Sequence, residues 1–322
     1  MTSLCLVFIA ILSHFKNMTD KHDHFAPPAP LMPDPQASHL TAMVHGQDEH
    51  GNPVDVPVVI EKPMTIYLNR QEIVTSMTLG DLPECLAVGF LRNQNMLADD
   101  DTITAIDVDD DLGVIVVRTE RETNYETKLE KKIRTSGCAQ GTVFGDMMER
   151  FEDIDLNPDA RISTSAMMRL TKAINTAPSL YLSAGAIHGC VLADGDALLV
   201  YMEDVGRHNA VDKIAGWMFL RGVSGADKVF YTTGRLTSEM VIKTVQMEIP
   251  ILISRSGFTE SGVDLARQAG LTLIGRARGK RFTVLSGAER IVYDAFMDDD
   301  ADEVAQERLS PQRQQTASSE GR

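Results

Sequence analysis

Cysteine is scarce in this sequence, and the few cysteines lie far apart. The chain has 322 residues and four cysteines, at positions 5, 85, 138 and 190. No two of them share the short spacing of a structural zinc site, and they are too few for a disulfide-stabilised fold. We therefore predict no metal site. This cysteine usage is typical of a reducing compartment, and we expect the protein in the cytoplasm.

Positive charge is also in deficit. The chain carries 31 Lys and Arg residues against 46 Asp and Glu residues, a formal net charge of −15. Nucleic acids are held mainly by an excess of Lys and Arg, so this balance argues against nucleic acid as a partner. A phosphate-bearing ligand would have to meet a local cluster of basic residues.

Several familiar signatures are missing. The sequence has no P-loop, no GxGxxG motif after a strand, no HExxH, no GxSxG and no zinc-deaminase HxE with PCxxC. Their absence argues against P-loop nucleotide hydrolysis, dinucleotide-dependent redox chemistry, zincin or serine hydrolase activity and zinc-dependent deamination.

The only marked apolar run before the folded part, LCLVFIAIL at residues 4–12, is too short to span a bilayer as a helix. No Lys or Arg precedes it, so we favour an over-extended start, with Met18, Met32 and Met43 as later initiators, over a secretory signal. No membrane partner is expected. Residues 13–53 lack an apolar period, and we predict that residues 1–53 form a disordered leader.

The remaining chain divides by its hydrophobic rhythm. Residues 54–130 contain short β-rich runs and one helical period at residues 82–92, which predicts a small antiparallel α+β subdomain. In residues 131–296, strand-like runs alternate with amphipathic helical periods. This alternation predicts an α/β domain whose mixed or mainly parallel sheet is covered by helices on both faces. Residues 297–322 are acidic and polar, which predicts a disordered tail.

One cysteine has the surroundings of a reactive thiol. Cys138 lies between two glycines in KKIRTSGCAQGT, just after three cationic side chains. Neighbouring cations lower the pKa of a thiol, and glycines permit an exposed turn. Cys138 is therefore the candidate nucleophile, with an incidental small residue as the alternative. Cys85, inside a helical period, and Cys190, inside a strand, are expected in the core.

Two strand-to-helix turns carry hydrogen-bond donors. In EDVGRHNAVDKIAGW at residues 203–217, Arg207 and His208 open a predicted helix, whose free amides and dipole suit an anion. Acid–base chemistry and helix capping both stay open for His208. TTGRLTSEM at residues 232–240 repeats this arrangement with Arg235. Two such turns in one sheet predict a shared anionic or nucleotide-like ligand.

The clearest local reversal of charge lies between the last two predicted strands. Four of six consecutive residues are basic in the loop Arg276, Ala277, Arg278, Gly279, Lys280 and Arg281. Arginine forks and backbone amides near a glycine suit phosphate or pyrophosphate, whereas a solvated hairpin is the alternative. Ser254, at the end of the preceding strand, is a further candidate donor.

The order of these motifs resembles a known family. The Cys138 loop, DVGRHNAVDKIAG, TTGRLTSEMV and IPILISRSGFTESGVDLARQAGLTLIGRARGKRFTV are similar to the formate dehydrogenase accessory sulfurtransferases, over roughly residues 54–290. The resemblance implies a sheet covered by helices like that of cytidine deaminases, without their zinc. It also implies a smaller β-rich part and a homodimer.

The resemblance also implies a role. In this family, a cysteine persulfide carries sulfur from a cysteine desulfurase to the molybdenum or tungsten bis(molybdopterin guanine dinucleotide) cofactor of the formate dehydrogenase catalytic subunit. The persulfide cysteine maps to Cys138, and the cofactor-binding stretch maps onto residues 276–281. Many members have a CxxC pair, but Gly141 replaces the second cysteine here. A cofactor-binding chaperone for formate dehydrogenase without sulfur transfer is the alternative function.

Overall fold

Two sheets organise the protein, which is described here by a computed structural model covering residues 29–121 and 144–295. The smaller sheet has four strands in the order β4-β3-β6-β5. The first part of the chain contains β1 (Thr41–Gln47), β2 (Pro53–Val59), β3 (Lys62–Leu68), β4 (Gln71–Thr78), α1 (Pro83–Asn93), β5 (Ile103–Asp109) and β6 (Val114–Thr119).

The larger sheet has six strands in the order β13-β12-β11-β10-β8-β9, in which β10, β11 and β12 are parallel and the other neighbours are antiparallel. Its strands are β8 (His188–Asp194), β9 (Ala197–Asp204), β10 (Val229–Thr232), β11 (Ile251–Ser254), β12 (Thr272–Arg278) and β13 (Arg281–Ser286). A separate parallel pair joins β7 (Ile162–Ser163) to β14 (Ile291–Val292).

The helices of this part are α2 (Phe144–Asp153), α3 (Thr164–Thr176), α4 (Leu180–Ala184), α5 (Arg207–Arg221), α6 (Ser238–Gln246) and α7 (Glu260–Gln268), with a 3-10 turn at Ala288–Arg290. In the described part of the chain, no helix combines the length and the apolar character needed to cross a membrane.

Alternation along the strands builds a core on each face of the larger sheet. In β10, Phe230 faces the core that contains α5, α6 and α7, whereas Val229 and Tyr231 face the core that contains α3. The side chains of successive strand residues point to opposite faces, so both faces need a helical cover. The predicted mixed sheet with helices on both faces is confirmed.

The smaller sheet packs one face against α1. Buried side chains of β3 and β6 meet Leu86, Ala87, Val88 and Leu91 of the helix. The prediction of an antiparallel sheet is wrong at its centre, because β3 and β6 run parallel. The chain crosses the sheet through α1 between β4 and β5, and β5 then pairs antiparallel with β6. This crossover sets β6 beside β3 in the same direction.

Part of the predicted leader is folded. β1 pairs antiparallel with β2 along its length, and the amide of Leu31 donates to Leu199 O of β9 (3.2 Å). The prediction of a disordered leader is therefore wrong for these residues. Most side chains of β1 are exposed, so backbone hydrogen bonds hold the strand and the sequence shows no apolar period there. Residues 1–28 and the predicted tail lie outside the described residues.

Glycine brings the two parts of the molecule together. An ideal Cβ on Gly89 of α1 would lie 1.6 Å from Asp212 O of α5, and one on Gly216 of α5 would lie 1.9 Å from Cys85 O of α1. Real Cβ atoms do not approach backbone oxygen so closely, so only glycine permits this contact at both positions. The two helices therefore pack backbone against backbone.

Buried charges join the same two parts. Lys213 of α5 is fully buried, and its Nζ lies 2.6 Å from Asp81 Oδ1 of the smaller part and 2.6 Å from Asp204 Oδ2 at the end of β9. Thr78 of β4 donates its hydroxyl hydrogen to the same Asp204 oxygen. Burial opposes the charge of Lys213, but Asp204 and Asp81 outweigh it and raise the pKa above its ordinary value.

A second buried group lies beside the glycine contact. Lys243 of α6 donates to both carboxylate oxygens of Asp212, each at 2.8 Å, and Asn93 of α1 donates to Oδ1 at 2.7 Å. Asp212 thus holds α1, α5 and α6 together with three hydrogen bonds. A buried carboxylate is tolerated only when it is paired in this way.

The close contact of α1 with α5 predicts that one added methyl group at this contact strongly destabilises the protein. Gly89→Ala should lower the free energy of unfolding by about 3 kcal/mol or more, because α1 and α5 must separate to admit it. Gly257→Ala is the matched control, since no atom lies within 4 Å of its ideal Cβ. Denaturant unfolding measures both. Equal stability of the two variants would contradict the close helix packing.

Because Lys213 and Asp204 are both buried, removing Lys213 alone should destabilise the protein more than removing both charges. Lys213→Met should cost roughly 3–5 kcal/mol in the free energy of unfolding, because Asp204 stays buried without its cation. Adding Asp204→Asn should recover part of this loss. Lys228→Met, which removes a lysine paired with the exposed Asp194 and Asp227, should cost less than about 1 kcal/mol. Similar losses of stability in Lys213→Met and Lys228→Met would contradict the buried ion pair of Lys213 with Asp204.

Candidate anion-binding site

Several strand ends lie in one row along an edge of the larger sheet. Asp204 at the end of β9 pairs with His188 at the start of β8, and Thr232 at the end of β10 pairs with Ser254 at the end of β11. β12 reaches the same edge and continues to Arg278. Parallel strands place their carboxyl ends together, and ligands favour that edge. The structure thus brings the turns singled out in the sequence to one side of the sheet.

The basic segment forms a tight hairpin at this edge. Arg276 and Ala277 belong to β12, Arg278 pairs with Arg281 of β13, and only two residues make the turn. The prediction of a loop is therefore wrong for most of the segment. Gly279 has φ 56°, the left-handed conformation that a two-residue turn of this kind requires. Ala277 is buried in the core beneath the sheet.

Arg276 is held in an unusual backbone conformation. Its φ is 55°, and its amide donates to Ser256 O at 2.9 Å. Its guanidinium lies over the ring of Phe258, 5.3 Å from the centroid. A cation placed over an aromatic face keeps its charge while losing conformational freedom. The hairpin therefore presents Arg276 in a defined position.

An open groove of about 890 Å³ lies beside the hairpin. Arg276, Arg278, Lys280 and Arg281 line it, and its apolar wall consists of Met168, Phe282, Val284 and Tyr293. A nucleotide-sized ligand fits a volume of this order. Basic side chains beside the exposed ring of Tyr293 and the half-buried ring of Phe282 suit a ligand that has both phosphate and a flat base.

Tyr293 belongs to a segment in which the sequence carries none of the motifs described above. Asp294 accepts hydrogen bonds from Ser165 N (2.9 Å) and Thr164 Oγ1 (3.0 Å) at the start of α3, and these bonds bring Tyr293 to the groove. No local motif signals this arrangement. In the sequence, this segment shows only an aromatic residue, Tyr293, followed by an acidic run.

The basic side chains at this edge lack acidic partners. Among the described residues, no carboxylate forms an ion pair with Arg207, Arg235, Arg255, Arg276, Arg278 or Lys280. Cations elsewhere in the molecule, such as Arg118 and Lys243, do pair with aspartates. In a chain with a net charge of −15, an edge with six such cations attracts anions.

The two predicted donor-rich turns are in contact. An ideal Cβ on Gly234 would lie 3.1 Å from both Cβ and Cδ of Arg207, so the start of α5 packs against the turn that carries Arg235. Arg207 is 7% exposed and Arg235 is exposed. The shared ligand expected for these turns is consistent with this contact.

Both histidines of the edge have a lowered pKa. Burial and then the charges of Lys243 and Arg207 lower the pKa of His208 to about 2. Burial and then the charges of three nearby arginines, at 207, 235 and 255, lower the pKa of His188. His208 is therefore a neutral imidazole near pH 7 and adds no positive charge.

Ser254 supports the edge from inside. It is fully buried, donates its hydroxyl hydrogen to Gly234 O (2.6 Å) and accepts from Ser256 N (2.9 Å). These two bonds connect the turns that follow β10 and β11. The hydroxyl is thus already engaged in the protein, and direct binding of a ligand by Ser254 stays a prediction.

The candidate nucleophile Cys138 lies outside the described residues. Cys190 is buried in the core, as predicted, whereas Cys85 is only half-buried against that core. Burial raises the pKa of Cys85 to about 11 and that of Cys190 to about 12. Thiols with such pKa values are almost wholly protonated near pH 7 and are poor nucleophiles.

The sequence of this chain matches one protein-family model and several relatives of known name. The model of the FdhD/NarQ family matches residues 59–292. Sulfur carrier protein FdhD of Listeria monocytogenes serovar 1/2a is 30% identical over 241 residues, which cover 74% of this chain and 92% of that protein. Sulfur carrier protein FdhD of Bacillus subtilis strain 168 is 30% identical over 239 residues, covering 74% and 91%.

A solved structure is similar throughout its length. The crystal structure of a protein described as a formate dehydrogenase accessory protein from Desulfotalea psychrophila matches with a TM-score of 0.64 and 30% identity. The match covers 79% of this chain and 100% of that one. The likeness to cytidine deaminases stays a prediction. The chain belongs to the FdhD/NarQ family.

Proposed function

We propose that this protein is a sulfur carrier for formate dehydrogenase maturation, which holds the molybdenum or tungsten bis(molybdopterin guanine dinucleotide) cofactor as its substrate and sulfurates it. The observation that carries the proposal is the row of six basic side chains without acidic partners among the described residues. The relatives named sulfur carrier protein FdhD support the sulfur-transfer part.

The groove beside the β12–β13 hairpin suits the guanine dinucleotide end of this substrate. Arg278 and Lys280 are positioned to contact the pyrophosphate, and the ring of Tyr293, which is 68% exposed, offers a face for stacking a base. Charge-assisted hydrogen bonds to phosphate are among the strongest available to a surface site. The described donors thus match the chemistry of the proposed substrate.

The sulfur step requires one thiolate. Cys138 attacks the terminal sulfur of a persulfide on a cysteine desulfurase; the donor's S–S bond breaks, the donor cysteine leaves as thiolate, and a persulfide forms on Cys138. Delivery of this sulfur to the metal as sulfide consumes two electrons, which a thiol reductant supplies. Gly141 in place of a second cysteine excludes an internal disulfide in this loop but does not prevent the first step.

This role requires protein partners. We propose association with a cysteine desulfurase, with the formate dehydrogenase catalytic subunit and with a second copy of this chain, all in the cytoplasm. The relatives' names and the accessory role of the similar structure support the formate dehydrogenase partner. A cofactor-binding chaperone without sulfur transfer makes the same use of the groove and differs only at Cys138.

Sulfur loading on Cys138 distinguishes these two functions. After incubation with a cysteine desulfurase and cysteine, the intact protein should gain the mass of one sulfur atom, and a reducing thiol should remove it. The gain should vanish in Cys138→Ala and persist in Cys85→Ala, because the pKa of Cys85 is raised. The absence of any adduct on the unmodified chain would support the chaperone function instead.

Guanine nucleotide binding tests the groove. Arg278→Ala with Lys280→Ala should weaken the affinity for guanosine diphosphate about tenfold or more, since two charge-assisted contacts are lost. Arg118→Ala with Arg169→Ala is the matched control, because it makes the same change in net charge at residues paired with surface aspartates. Titration calorimetry measures the affinity. Equal affinities of both double variants would place the nucleotide elsewhere.

A further inference from the structure

Three polar side chains where α5 and α6 begin have unsatisfied atoms. Arg207 Nε, His208 Nε2 and Thr237 Oγ1 are buried and have no hydrogen-bond partner in the described residues. Their residues are only 7%, 8% and 8% exposed. His208 Nε2 lies 3.1 Å from Glu239 Oε2, but outside the directions that form a hydrogen bond. Leaving buried polar atoms unpaired costs free energy, so a group of them indicates a missing acceptor.

Arg207 is the most informative of the three. It forms no ion pair and no hydrogen bond with any described side chain, although nine-tenths of its surface is buried. An arginine stays charged in proteins, and a buried charge requires a counter-charge. Lys213, buried six residues further along the same helix, shows the usual solution with two aspartates.

Backbone amides at the same two helix starts lack side-chain caps. Neither Gly206 at the start of α5 nor Thr237 at the start of α6 caps its helix with a side chain. The first intrahelical bond of α5 is donated by Ala210, so the amides of the first turn need other acceptors. By contrast, Thr259 caps α7 with its hydroxyl. The packing of Arg207 against Gly234 brings the first turn of α5 beside the turn that leads into α6.

The surrounding charges favour an anion. The pKa values of His188 and His208 are both lowered in part by Arg207 and Arg235, so these arginines lie close enough to act on both rings. Glu239 is the acidic side chain of the first turn of α6 and lies on the His208 side. Asp204 is engaged by Lys213. Arg207, the Thr237 hydroxyl and the uncapped amides therefore lie at two adjoining helix starts, where Glu239 is the one acidic side chain of the two first turns.

We propose that the starts of α5 and α6 form a binding site for one tetrahedral oxyanion of the phosphate class, distinct from the groove beside the hairpin. Arg207 supplies the charge, Thr237 donates its hydroxyl hydrogen, and the helix amides complete the donor set. The site shares Arg207 with the row of basic side chains that carries the proposed function and rests on that proposal in this respect, but it requires neither sulfur transfer nor guanine recognition. The oxyanion is either free phosphate or a phosphoryl group of a larger substrate.

Inorganic phosphate is the probe, and thermal unfolding is the readout, because a ligand that binds only the folded state raises its melting temperature. The experiment uses the full chain carrying Arg278→Ala and Lys280→Ala, which removes the phosphate contacts of the groove. In this background, phosphate should still raise the melting temperature. Arg207→Met and Thr237→Val should each weaken the apparent phosphate affinity about tenfold.

Thr237→Val should also change the melting temperature in a way that loss of a hydrogen-bonded hydroxyl would not. Without phosphate, its melting temperature should equal or exceed that of the parent, because the change removes an unpaired buried hydroxyl. Thr244→Val is the matched control in α6, since that buried hydroxyl donates to Met240 O at 2.7 Å. It should lower the melting temperature and leave the phosphate affinity unchanged.

Two outcomes would overturn the proposal: no effect of phosphate on the parent, or the same effect in all variants, which would make water the missing acceptor. Loss of guanosine diphosphate affinity in Arg207→Met, measured with the hairpin intact, would identify the oxyanion as a phosphoryl group of the nucleotide. An unchanged nucleotide affinity with lost phosphate binding would identify free phosphate. Both results support the site, and neither depends on the groove experiment above.

Discussion

The buried ion group of Lys213, Asp204 and Asp81 is the interaction on which the candidate site depends. Asp204 ends β9 and also accepts hydrogen bonds from the Gly206 amide (3.1 Å) and from Asn209 Nδ2 (2.9 Å). These bonds set the turn from which α5 begins. Asn209 donates in addition to Met77 O of β4, so the smaller sheet holds the same turn from the other side. The position of Arg207 therefore follows from the junction of the two parts.

Charged side chains have different surroundings in the interior and at the edge of the larger sheet. Inside the described part of the molecule, both buried lysines pair with buried aspartates: Lys243 with Asp212 and Lys213 with Asp204. At the edge of the larger sheet, arginines are held by means that leave their charge uncompensated. Arg276 lies over Phe258 and Arg255 lies over Tyr181, 5.2 Å from the ring centroid. Stacking on a ring positions a guanidinium without neutralising it, which is what a site for an anionic substrate needs.

Local sequence patterns were enough to predict most elements. The strand runs of both parts and the helical periods beginning near residues 82, 167, 211, 236 and 263 correspond to observed elements, because burial imposes the periods of two and 3.6 residues. Prediction failed where long-range pairing decided the outcome. β1 has no apolar period because its side chains stay exposed, and the parallel pairing of β3 with β6 depends on a crossover that no local pattern records.

The sequence by itself determined the inventory of chemistry: a cysteine among cations and glycines, two donor-rich turns, a basic segment in an acidic chain, and the motifs shared with the FdhD/NarQ family. Tertiary structure alone decided which of these residues meet and which charges stay unpaired. Arg207 and Lys213 are both basic residues of one helix, yet Lys213 pairs with two aspartates, whereas Arg207 pairs with no carboxylate among the described residues. That difference arises from the packing of α5 against neighbours distant in sequence, because a side chain's partners are set by contact in space.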